Sequence, residues 1–263
     1  MTKHKLAQQT IVLTGASGGI GTAFAKQLSD IGARLVLVAR DSQKLEQLNQ
    51  TLGGQHHCFA CDINDETGRN LLTDYCERLS NGIDMLINNA GLSQFSAIET
   101  TKPEHIEAIL SVNLTSTILL TQALLPLLKQ SDKASIVNVG SSFGSIGYAG
   151  FAVYCASKFG LRGFTEALSR ELSDSNINVR YFAPRATKTT INSQRVVSMN
   201  STLGNKMDSP ETVAKSFVKF LKNNKKRGFL GWPERLFIVV NNVFPNVVDN
   251  ALEKKLAIIK QYF

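Results

Sequence analysis

The chain has 263 residues, of which 43% are hydrophobic, a size that suits one α/β domain and is marginal for two. The formal net charge is +8, and residues 215–263 hold ten Lys and Arg against three Asp and Glu, so the basic character belongs to the C-terminal segment. This segment has no recognisable nucleic-acid-binding motif, so we expect no nucleic-acid partner.

The chain shows no targeting or disulfide signal. No apolar run follows the first five residues, which predicts no signal peptide. The longest apolar stretch found, 236–248, is too short to span a bilayer and is interrupted by Asn241, Asn242, Pro245 and Asn246. Four cysteines give no disulfide framework, which favours a cytoplasmic protein. Strand alternation places Cys58 and Cys61 on opposite faces, so no metal or redox site is predicted.

A glycine-rich segment follows the first predicted strand. The β-branched run 10–14 leads into Thr14-Gly-Ala-Ser-Gly-Gly-Ile-Gly21, and a helical pattern begins there. Strand, glycine turn and helix in this order indicate a dinucleotide site, because the turn lets a pyrophosphate approach the amides of the helix N-terminus. The spacing is Gly-x-x-x-Gly-x-Gly, and a glycine-rich loop without a ligand is the alternative.

The second predicted strand, 34–39, is followed directly by Arg40. An NAD-binding unit usually has an acid here for the ribose hydroxyls. Arginine instead offers two donors to a 2′-phosphate, which favours NADP(H) over NAD(H). The next residue, Asp41, is predicted to cap the helix that begins around Ser42.

Polar residues follow the third and fourth predicted strands, 56–61 and 84–88. Asp62 can accept from an adenine amino group, or it can cap the next helix, predicted over 65–79. Asn88-Asn-Ala-Gly91 stands at the end of a central strand. Asn113 lies among apolar residues of the helix that begins near Pro103, and a buried amide there needs a partner.

A serine and a Tyr-x-x-x-Lys pair follow the fifth predicted strand. Ser141 comes directly after the apolar run 136–139, and a helix is predicted from Tyr154 to about residue 172. Residues four apart share a helix face, so the Lys158 ammonium is expected beside the Tyr154 phenol and should lower its pKa. A phenol tuned in this way suits general acid–base catalysis. A solvated chance pair is the alternative.

The remaining elements complete an alternating pattern. A sixth strand, 178–183, ends at Pro184, and the aperiodic segment 185–208 is predicted to be a substrate loop. Ser209-Pro210 begins a helix, and 227–232 is predicted to be a seventh strand. Alternating strands and helices predict an α/β doubly wound parallel sheet with helices on both faces. Residues 1–263 are interpreted as a single domain.

These blocks, in this order, resemble the short-chain dehydrogenase/reductase family over about residues 8–220, particularly its 3-oxoacyl reductase-like members. The resemblance implies a seven-stranded Rossmann-type fold, with Tyr154 as general acid, Ser141 holding the substrate oxygen, Lys158 tuning the tyrosine and Asn113 holding a proton-relay water. The cofactor residues that it implies are Gly15, Ser17, Gly19, Ile20, Gly21, Arg40, Asp62, Ile63, Asn89, Ala90, Gly91, Tyr154, Lys158, Pro184 and Thr189.

Two features depart from the family pattern. Arg185 replaces the glycine that commonly follows Pro184; it could bind an anionic group of the substrate or lie solvated in the loop. The chain also continues through a helix-compatible tail, 233–263, which is basic and apolar. We expect such a tail to form a lid over an apolar pocket or a subunit face, and peripheral membrane contact is the alternative.

The resemblance implies an NADP(H)-dependent oxidoreductase that interconverts a carbonyl and an alcohol. An apolar or acyl-chain substrate is suggested by candidate pocket residues Phe95, Tyr148, Phe151, Met199 and Met207. A 3-oxoacyl thioester reductase and a non-catalytic NADP(H)-sensing regulator are the alternatives. Family members commonly form homodimers or homotetramers through the helices that carry Asn113 and Tyr154.

Overall fold

The computed structural model describes residues 6–223 and 225–263; residues 1–5, on which the signal-peptide prediction rests, lie outside this range. The described strands are β1 Thr10–Thr14, β2 Arg34–Ala39, β3 His57–Ala60, β4 Met85–Asn88, β5 Ala134–Val139, β6 Ile177–Ala183 and β7 Arg227–Phe229. They form one sheet in the order β3-β2-β1-β4-β5-β6-β7, and every neighbouring pair is parallel. The order reverses direction between β1 and β4, which makes the sheet doubly wound.

Helices cover both faces of this sheet. They are α1 Gly19–Asp30, α2 Ser42–Thr51, α3 Glu66–Glu77, α4 Pro103–Leu110, α5 Ser116–Leu128, α6 Ala152–Glu171, α7 Gln194–Thr202, α8 Pro210–Lys222, α9 Glu234–Val243 and α10 Pro245–Lys260. A π-helical turn, Ser111–Thr115, joins α4 to α5. The predicted fold class, including the helical tail, is confirmed.

Strand alternation builds two separate cores. In β1 the side chains of Ile11 and Leu13 pack with α1, α2 and α8, while Val12 between them packs with α3, α5 and α6. Period-two alternation explains this division, because successive residues of a strand point to opposite faces. Cys58 and Cys61 follow the same rule, one packing against each core, as predicted.

The helical run Pro103–Leu128 is long and apolar enough to cross a membrane by length and composition. Sequence analysis was therefore wrong to place the longest apolar stretch at 236–248. In the fold this run behaves as a core helix: Leu120, Leu124 and Leu128 are fully buried against the sheet and its neighbouring helices.

Most predicted boundaries lie within about two residues of those observed. Two predictions need larger corrections. The segment 185–208 is not wholly irregular, since it contains α7, whose N-cap Ser193 accepts from Val196 N. The seventh strand ends at Phe229 rather than at residue 232; Leu230 N still donates to Ala183 O, and Gly231, with a φ of +98°, leaves the extended conformation.

The tail forms a pair of helices that closes one side of the fold. Asn241 Nδ2 of α9 donates to Ser145 O at 3.0 Å, and Ile259 of α10 is buried with Val196 and Met199. The C-terminal Phe263 packs on Phe95, with ring centroids 5.4 Å apart. The tail is thereby attached to the segment 185–208 and to the turn after β5.

Candidate active site

A cavity of about 690 Å³ lies beyond the C-terminal ends of the central strands. In doubly wound sheets, ligands bind in this position, where the strand order reverses. Its wall is formed by the glycine-rich turn, the segments after β3, β4, β5 and β6, and residues of α9 and α10. Most of the residues predicted for the site from separate parts of the chain thus line one cavity, whereas the predicted catalytic residue Asn113 is not in its wall.

The glycine-rich turn is packed so tightly that side chains do not fit. Gly15 has a φ of +63°, and a Cβ there would lie 2.8 Å from Ala90 Cα. A Cβ on Gly21 would lie 2.0 Å from Gly15 O, which brings the first turn of α1 directly onto the loop. Helix α1 has no side-chain cap at Gly18, so its first amides face the cavity as an anion-binding terminus.

The segment after β4 is tied to this turn by hydrogen bonds. Thr14 Oγ1 accepts from the amides of Asn89 and Ala90 at 2.9 and 3.0 Å, and Asn89 Nδ2 donates to Thr14 O and Gly15 O. These bonds fix Gly91 in the cavity wall. Thr14 was not among the predicted site residues, although its place at the end of β1 could have suggested this role.

The predicted adenine side of the cavity has polar residues at its rim. Asp62 and Ile63 line the wall, and Asp62 Oδ1 accepts from Asn64 N at 2.9 Å. The cap of α3 is Asp65, which accepts from Gly68 N, so Asp62 is not a helix cap. The helix-cap alternative for Asp62 is therefore excluded, and its contact with an adenine amino group stays a prediction.

Arg40 also lines the cavity and is exposed. The Asp41 carboxylate accepts a hydrogen bond from the Lys44 amide, and the Lys44 ammonium lies 3.1 Å from the same carboxylate. The amide hydrogen bond is the main cause that lowers the pKa of Asp41. The predicted capping role of Asp41 is confirmed. Lys44 joins Arg40 in the wall as a second cation that sequence analysis missed.

Thr189 provides a test of whether a nicotinamide cofactor fits. Its Oγ1 is buried without a hydrogen-bond partner among the described residues, and its side chain faces the glycine turn, where a Cβ on Gly19 would lie 2.8 Å from Thr189 Cγ2. A buried hydroxyl without a partner is costly, and a cofactor amide would satisfy it. Pro184 and Thr189 both line the cavity, so the residues fit the group.

Asn113 lies fully buried in the π-helical turn between α4 and α5. Its Oδ1 accepts from Leu92 N at 2.7 Å, and its Nδ2 donates to Leu92 O and to Ser157 Oγ, both at 2.9 Å. These are the partners that a buried amide requires. A Cβ on Gly91 would lie 3.3 Å from Asn113 Oδ1 and 3.6 Å from Lys158 Nζ, so both side chains reach the same backbone position.

Ser141 is held at the end of β5 by a buried tyrosine. Tyr181 Oη accepts from Ser141 N and donates to Ser141 O, both at 3.3 Å. A Cβ on Gly140 would lie 2.1 Å from the Tyr181 ring, which explains the glycine before the serine. Sequence analysis missed Tyr181, because a tyrosine within a strand usually indicates only core packing.

Tyr154 and Lys158 lie on the same face of α6, with Lys158 Nζ 5.8 Å from the centroid of the tyrosine ring. Burial raises the pKa of Tyr154 to about 12, although the neighbouring Ser141 hydroxyl acts in the opposite direction. Burial lowers the pKa of Lys158 to about 8, and its ammonium donates to Val139 O at 3.1 Å. The prediction of a net lowering of the tyrosine pKa is wrong for the protein alone, because burial raises this pKa by more than the Ser141 hydrogen bond lowers it.

The buried lysine makes a testable contribution to the pH dependence of stability. Its pKa falls from 10.5 when unfolded to about 8 when folded, so the unfolded state binds more protons between these values. Stability should therefore rise with pH across this window. In the wild type, the free energy of unfolding should gain on the order of 3 kcal/mol from this group between about pH 7 and about pH 10, and Lys158→Met should lack this gain. Urea unfolding of both proteins at the two pH values would measure the difference. Parallel curves for the two proteins would refute the shift.

One part of the cavity wall is apolar. This part includes Phe143, Ile146, Tyr148, Phe151, Ile191, Val196, Met199, Phe237, Val248 and Leu252. Two of the predicted pocket residues, Phe95 and Met207, are absent from the wall that the described residues form. Phe95 instead packs behind the wall, on Phe151 and Phe263. Tyr148 Oη is buried without a partner among residues 6–223 and 225–263, and so offers a polar contact.

Arg185 has neither of the roles considered from the sequence. Its side chain is only 16% exposed, and its guanidinium donates twice to Asp208 at 2.6 and 2.8 Å and lies 3.3 Å from Glu234 of α9. It therefore joins both ends of the segment 185–208 to the tail. Sequence analysis could not find this, because its acidic partners are 23 and 49 residues away.

Fold and site together define a Rossmann-type oxidoreductase. The family model described as short chain dehydrogenase matches residues 9–200. The chain belongs to the short-chain dehydrogenase family.

Individual relatives agree with this assignment. The chain is 33% identical over 211 residues to carbonyl reductase family member 4 of Xenopus laevis, covering 80% of this chain and 89% of that protein. It is 31% identical over 222 residues to the 3-oxoacyl-[acyl-carrier-protein] reductase FabG of Vibrio cholerae, covering 82% and 90%. A metagenomic short-chain oxidoreductase solved in complex with NADP is 28% identical, with a TM-score of 0.72 over 86% of this chain and 98% of that one.

Proposed function

We propose that this enzyme interconverts an apolar carbonyl and its alcohol with NADP(H). The observation that carries this proposal is the convergence of Ser141, Tyr154 and Lys158 in the wall of a cavity that the glycine-rich turn also lines, with Asn113 buried behind Gly91. A proton donor, an oxygen-binding hydroxyl and a pyrophosphate site in a single space are what a carbonyl reductase requires.

Each protein group has a distinct part in the proposed reaction. The nicotinamide, when bound, supplies or accepts the hydride. Tyr154 Oη donates the proton to the carbonyl oxygen, and the Ser141 hydroxyl stabilises the charge that develops there. Lys158 favours the phenolate left behind. Asn113 keeps Gly91 and the π-helical turn in place and, as the family implies, orders the water through which the proton returns.

The cofactor would lie along residues from five segments. Gly15, Ser17, Gly19, Ile20 and Gly21 would hold the pyrophosphate, Asp62 and Ile63 the adenine, and Thr189 the nicotinamide amide, with Asn89, Ala90, Gly91 and Pro184 completing the wall. A preference for NADP(H) is supported by two cations, Arg40 and Lys44, beside the position of a 2′-phosphate. The NADP-bound relative is consistent with this assignment.

Arg40→Ala should weaken NADPH binding by about tenfold to a hundredfold, the strength of a charge-assisted hydrogen bond, and leave NADH binding nearly unchanged. Fluorescence titration of both cofactors would measure this. Arg34→Ala is the matched control, because Arg34 is an exposed arginine at the opposite end of β2. Equal losses for NADPH and NADH would contradict the phosphate contact.

The substrate is proposed to be apolar because the cavity wall beyond Tyr154 is aromatic and aliphatic. Oxidation of NADPH should be measured against aldehydes, ketones, steroids and 3-oxoacyl thioesters of increasing chain length. We expect kcat/KM to rise with chain length until the cavity is filled. Tight NADPH binding without turnover of any carbonyl would instead support a non-catalytic NADP(H)-sensing regulator.

A 3-oxoacyl thioester is the second candidate substrate. Several relatives are named as 3-oxoacyl-[acyl-carrier-protein] reductases, and Lys206 and Lys255 in the cavity wall are suitably charged for the phosphate of a thioester carrier. If this substrate is correct, a coenzyme A thioester should be preferred over the matching free ketone. Equal kcat/KM values for the two would favour a simple carbonyl reductase.

The oligomeric state is proposed from the helices that carry Asn113 and Tyr154. Leu119 of α5 and Phe159 of α6 are large apolar side chains that remain exposed on this side of the fold. A homodimer would bury them, and a homotetramer would add a second contact. Light scattering would give the mass, and a monomer at micromolar concentration would contradict the proposal. Localisation in the cytoplasm stays a prediction.

A further inference from the structure

Ser141 differs from its neighbours in the way its backbone is held. Gly140 N and Ser142 N donate to carbonyl oxygens at the end of β6 and just after it, at 2.7 and 3.1 Å, so the residues on both sides of the serine continue the pairing of β5 with β6. The N–H and C=O of Ser141 itself are instead bonded to the hydroxyl of Tyr181. A side chain thus takes the place of a strand at this one position.

Tyr181 is enclosed so that its hydroxyl has one position. The side chain is 1% exposed. A Cβ on Gly140 would lie 2.1 Å from the tyrosine ring, and a Cβ on Gly144 would lie 2.3 Å from Tyr181 Oη, so any larger residue at either glycine would displace the phenol. Burial raises the pKa of Tyr181 above its ordinary value, so the hydroxyl keeps its proton and can donate to one backbone group while it accepts from the other.

Holding the backbone of Ser141 also orients its hydroxyl. The residue is extended, with φ of −160° and ψ of 160°, and its Oγ accepts from Phe143 N at 3.1 Å. This hydrogen bond uses a lone pair of the oxygen and leaves the hydroxyl hydrogen available for donation. Ser141 lines the cavity beside Tyr154, so the hydrogen can be given to an oxygen that binds there.

The rest of the segment after β5 is attached without Tyr181. Ser145 Oγ accepts from Arg162 Nη1 at 2.7 Å, and Ser145 O accepts from Asn241 of α9 at 3.0 Å. Together with the bonds to β6 on both sides of Ser141, these contacts should keep the segment in place when the tyrosine hydroxyl is removed. The effect of that removal should therefore be confined to Ser141.

We propose that Tyr181 is a positioning residue for the reaction, whose hydroxyl holds Ser141 so that the serine hydroxyl donates to the carbonyl oxygen beside Tyr154. Tyr181 lies outside the cavity wall that the described residues form, and it acts through Ser141 alone. A donor stabilises developing charge only at the correct distance and angle, so a small displacement of Ser141 lowers the rate more than it weakens binding. This inference rests on the proposed function, because it assigns Tyr181 a part in carbonyl reduction.

The test is a double-mutant cycle of Tyr181→Phe and Ser141→Ala in the full chain, with the carbonyl of the panel that the wild type reduces fastest. We expect Tyr181→Phe to lower kcat by about tenfold to a hundredfold and to leave the KM for NADPH within about twofold. In the Ser141→Ala background, the same change should lower kcat by less than about twofold, because no serine hydroxyl is left to position. Tyr75→Phe is the matched control, since it removes a surface hydroxyl and should keep the wild-type kcat.

Two kinetic outcomes would overturn the proposal. Equal losses of kcat from Tyr181→Phe in both backgrounds would show that Tyr181 does not act through Ser141. A folded Tyr181→Phe variant with the wild-type kcat would show that the hydroxyl positions nothing. Melting temperature and NADPH titration would verify that each variant is folded.

Hydrogen exchange of the wild type tests the contact without any variant, and it decides the matter should Tyr181→Phe fail to fold. The Ser141 amide should be protected, because it donates to a buried hydroxyl. Exchange of this amide at the rate of an open backbone would overturn the proposal. Absence of turnover by the wild type would refute the proposed function, whereas amide protection needs no turnover, so the two failures are distinguishable.

Discussion

Tyr154→Phe is expected to lower kcat for carbonyl reduction by at least about a hundredfold, because general acid catalysis contributes roughly a hundredfold to ten-thousandfold. The change removes the hydroxyl and leaves the ring, which packs edge-on against Phe143 and Phe151 with centroids 6.4 and 6.3 Å away. Packing should survive, so stability and NADPH binding should stay near the wild-type values. Steady-state oxidation of NADPH and fluorescence titration would measure the two effects separately.

Tyr75→Phe provides the control for this variant. Tyr75 Oη lies 2.7 Å from His57 Nδ1 on the surface, where loss of a hydroxyl should leave kcat unchanged. The pH profile adds a second readout, since kcat/KM of the wild type reports the ionisable groups of the free enzyme. If Tyr154→Phe keeps more than about a tenth of the wild-type kcat, another group is the proton donor.

Arg185→Leu should destabilise the fold by about 2–4 kcal/mol. The variant leaves the carboxylates of Asp208 and Glu234 without their cation, and the side chains are 13% and 28% exposed. Removing one member of a buried ion pair is costlier than losing the pair, because the remaining charge stays desolvated. The partial exposure of Glu234 places the expectation below the full cost of a deeply buried pair.

Hydrogen bonds to Asp208 raise the pKa of Arg185 above its already high unfolded value, so the guanidinium is charged in both states at neutral pH and its contribution is present there. The loss should accordingly be seen at neutral pH in urea unfolding. Arg195→Leu, an exposed arginine of α7, is the control and should cost less than about 0.5 kcal/mol.

A double variant separates the ion pair from simple packing. Arg185→Leu combined with Asp208→Asn should regain part of the stability, because the amide leaves no isolated charge. Unfolding of Arg185→Leu at the wild-type urea midpoint would show that the pairing contributes nothing. A double variant less stable than Arg185→Leu would show that Asp208 acts through other contacts.

The local parts of the site were predictable from the sequence. The glycine turn before α1, the caps Asp41 and Ser209, and the helix of Tyr154 depend on residues close in the chain. Short-range spacing determines such features, because turn conformations and helix faces repeat over a few residues. The carboxyl ends of parallel strands lie at one edge of the sheet, so the sequence also predicted that these residues would lie near one another.

The partners that support the site were not predictable. Tyr181 behind Ser141, Leu92 beside Asn113 and Asp208 on Arg185 are joined across 40, 21 and 23 residues. The pKa values of Tyr154 and Lys158 likewise depend on burial, which no spacing reveals. The sequence predicted that Lys158 would lower the pKa of Tyr154, whereas burial raises it.

The sequence by itself determined the alternation of strands and helices, the glycine-rich turn and the position of Tyr154 and Lys158 on one helix face, because each depends on local conformational preferences and on side-chain periodicity. Only the tertiary structure decided that Arg185 holds the segment 185–208 to α9 and that α9 and α10 contribute to the cavity wall while α9 exposes the apolar Leu236, Val239 and Val243. The face of a helix that is buried depends on what packs against it, and those neighbours are distant in the chain.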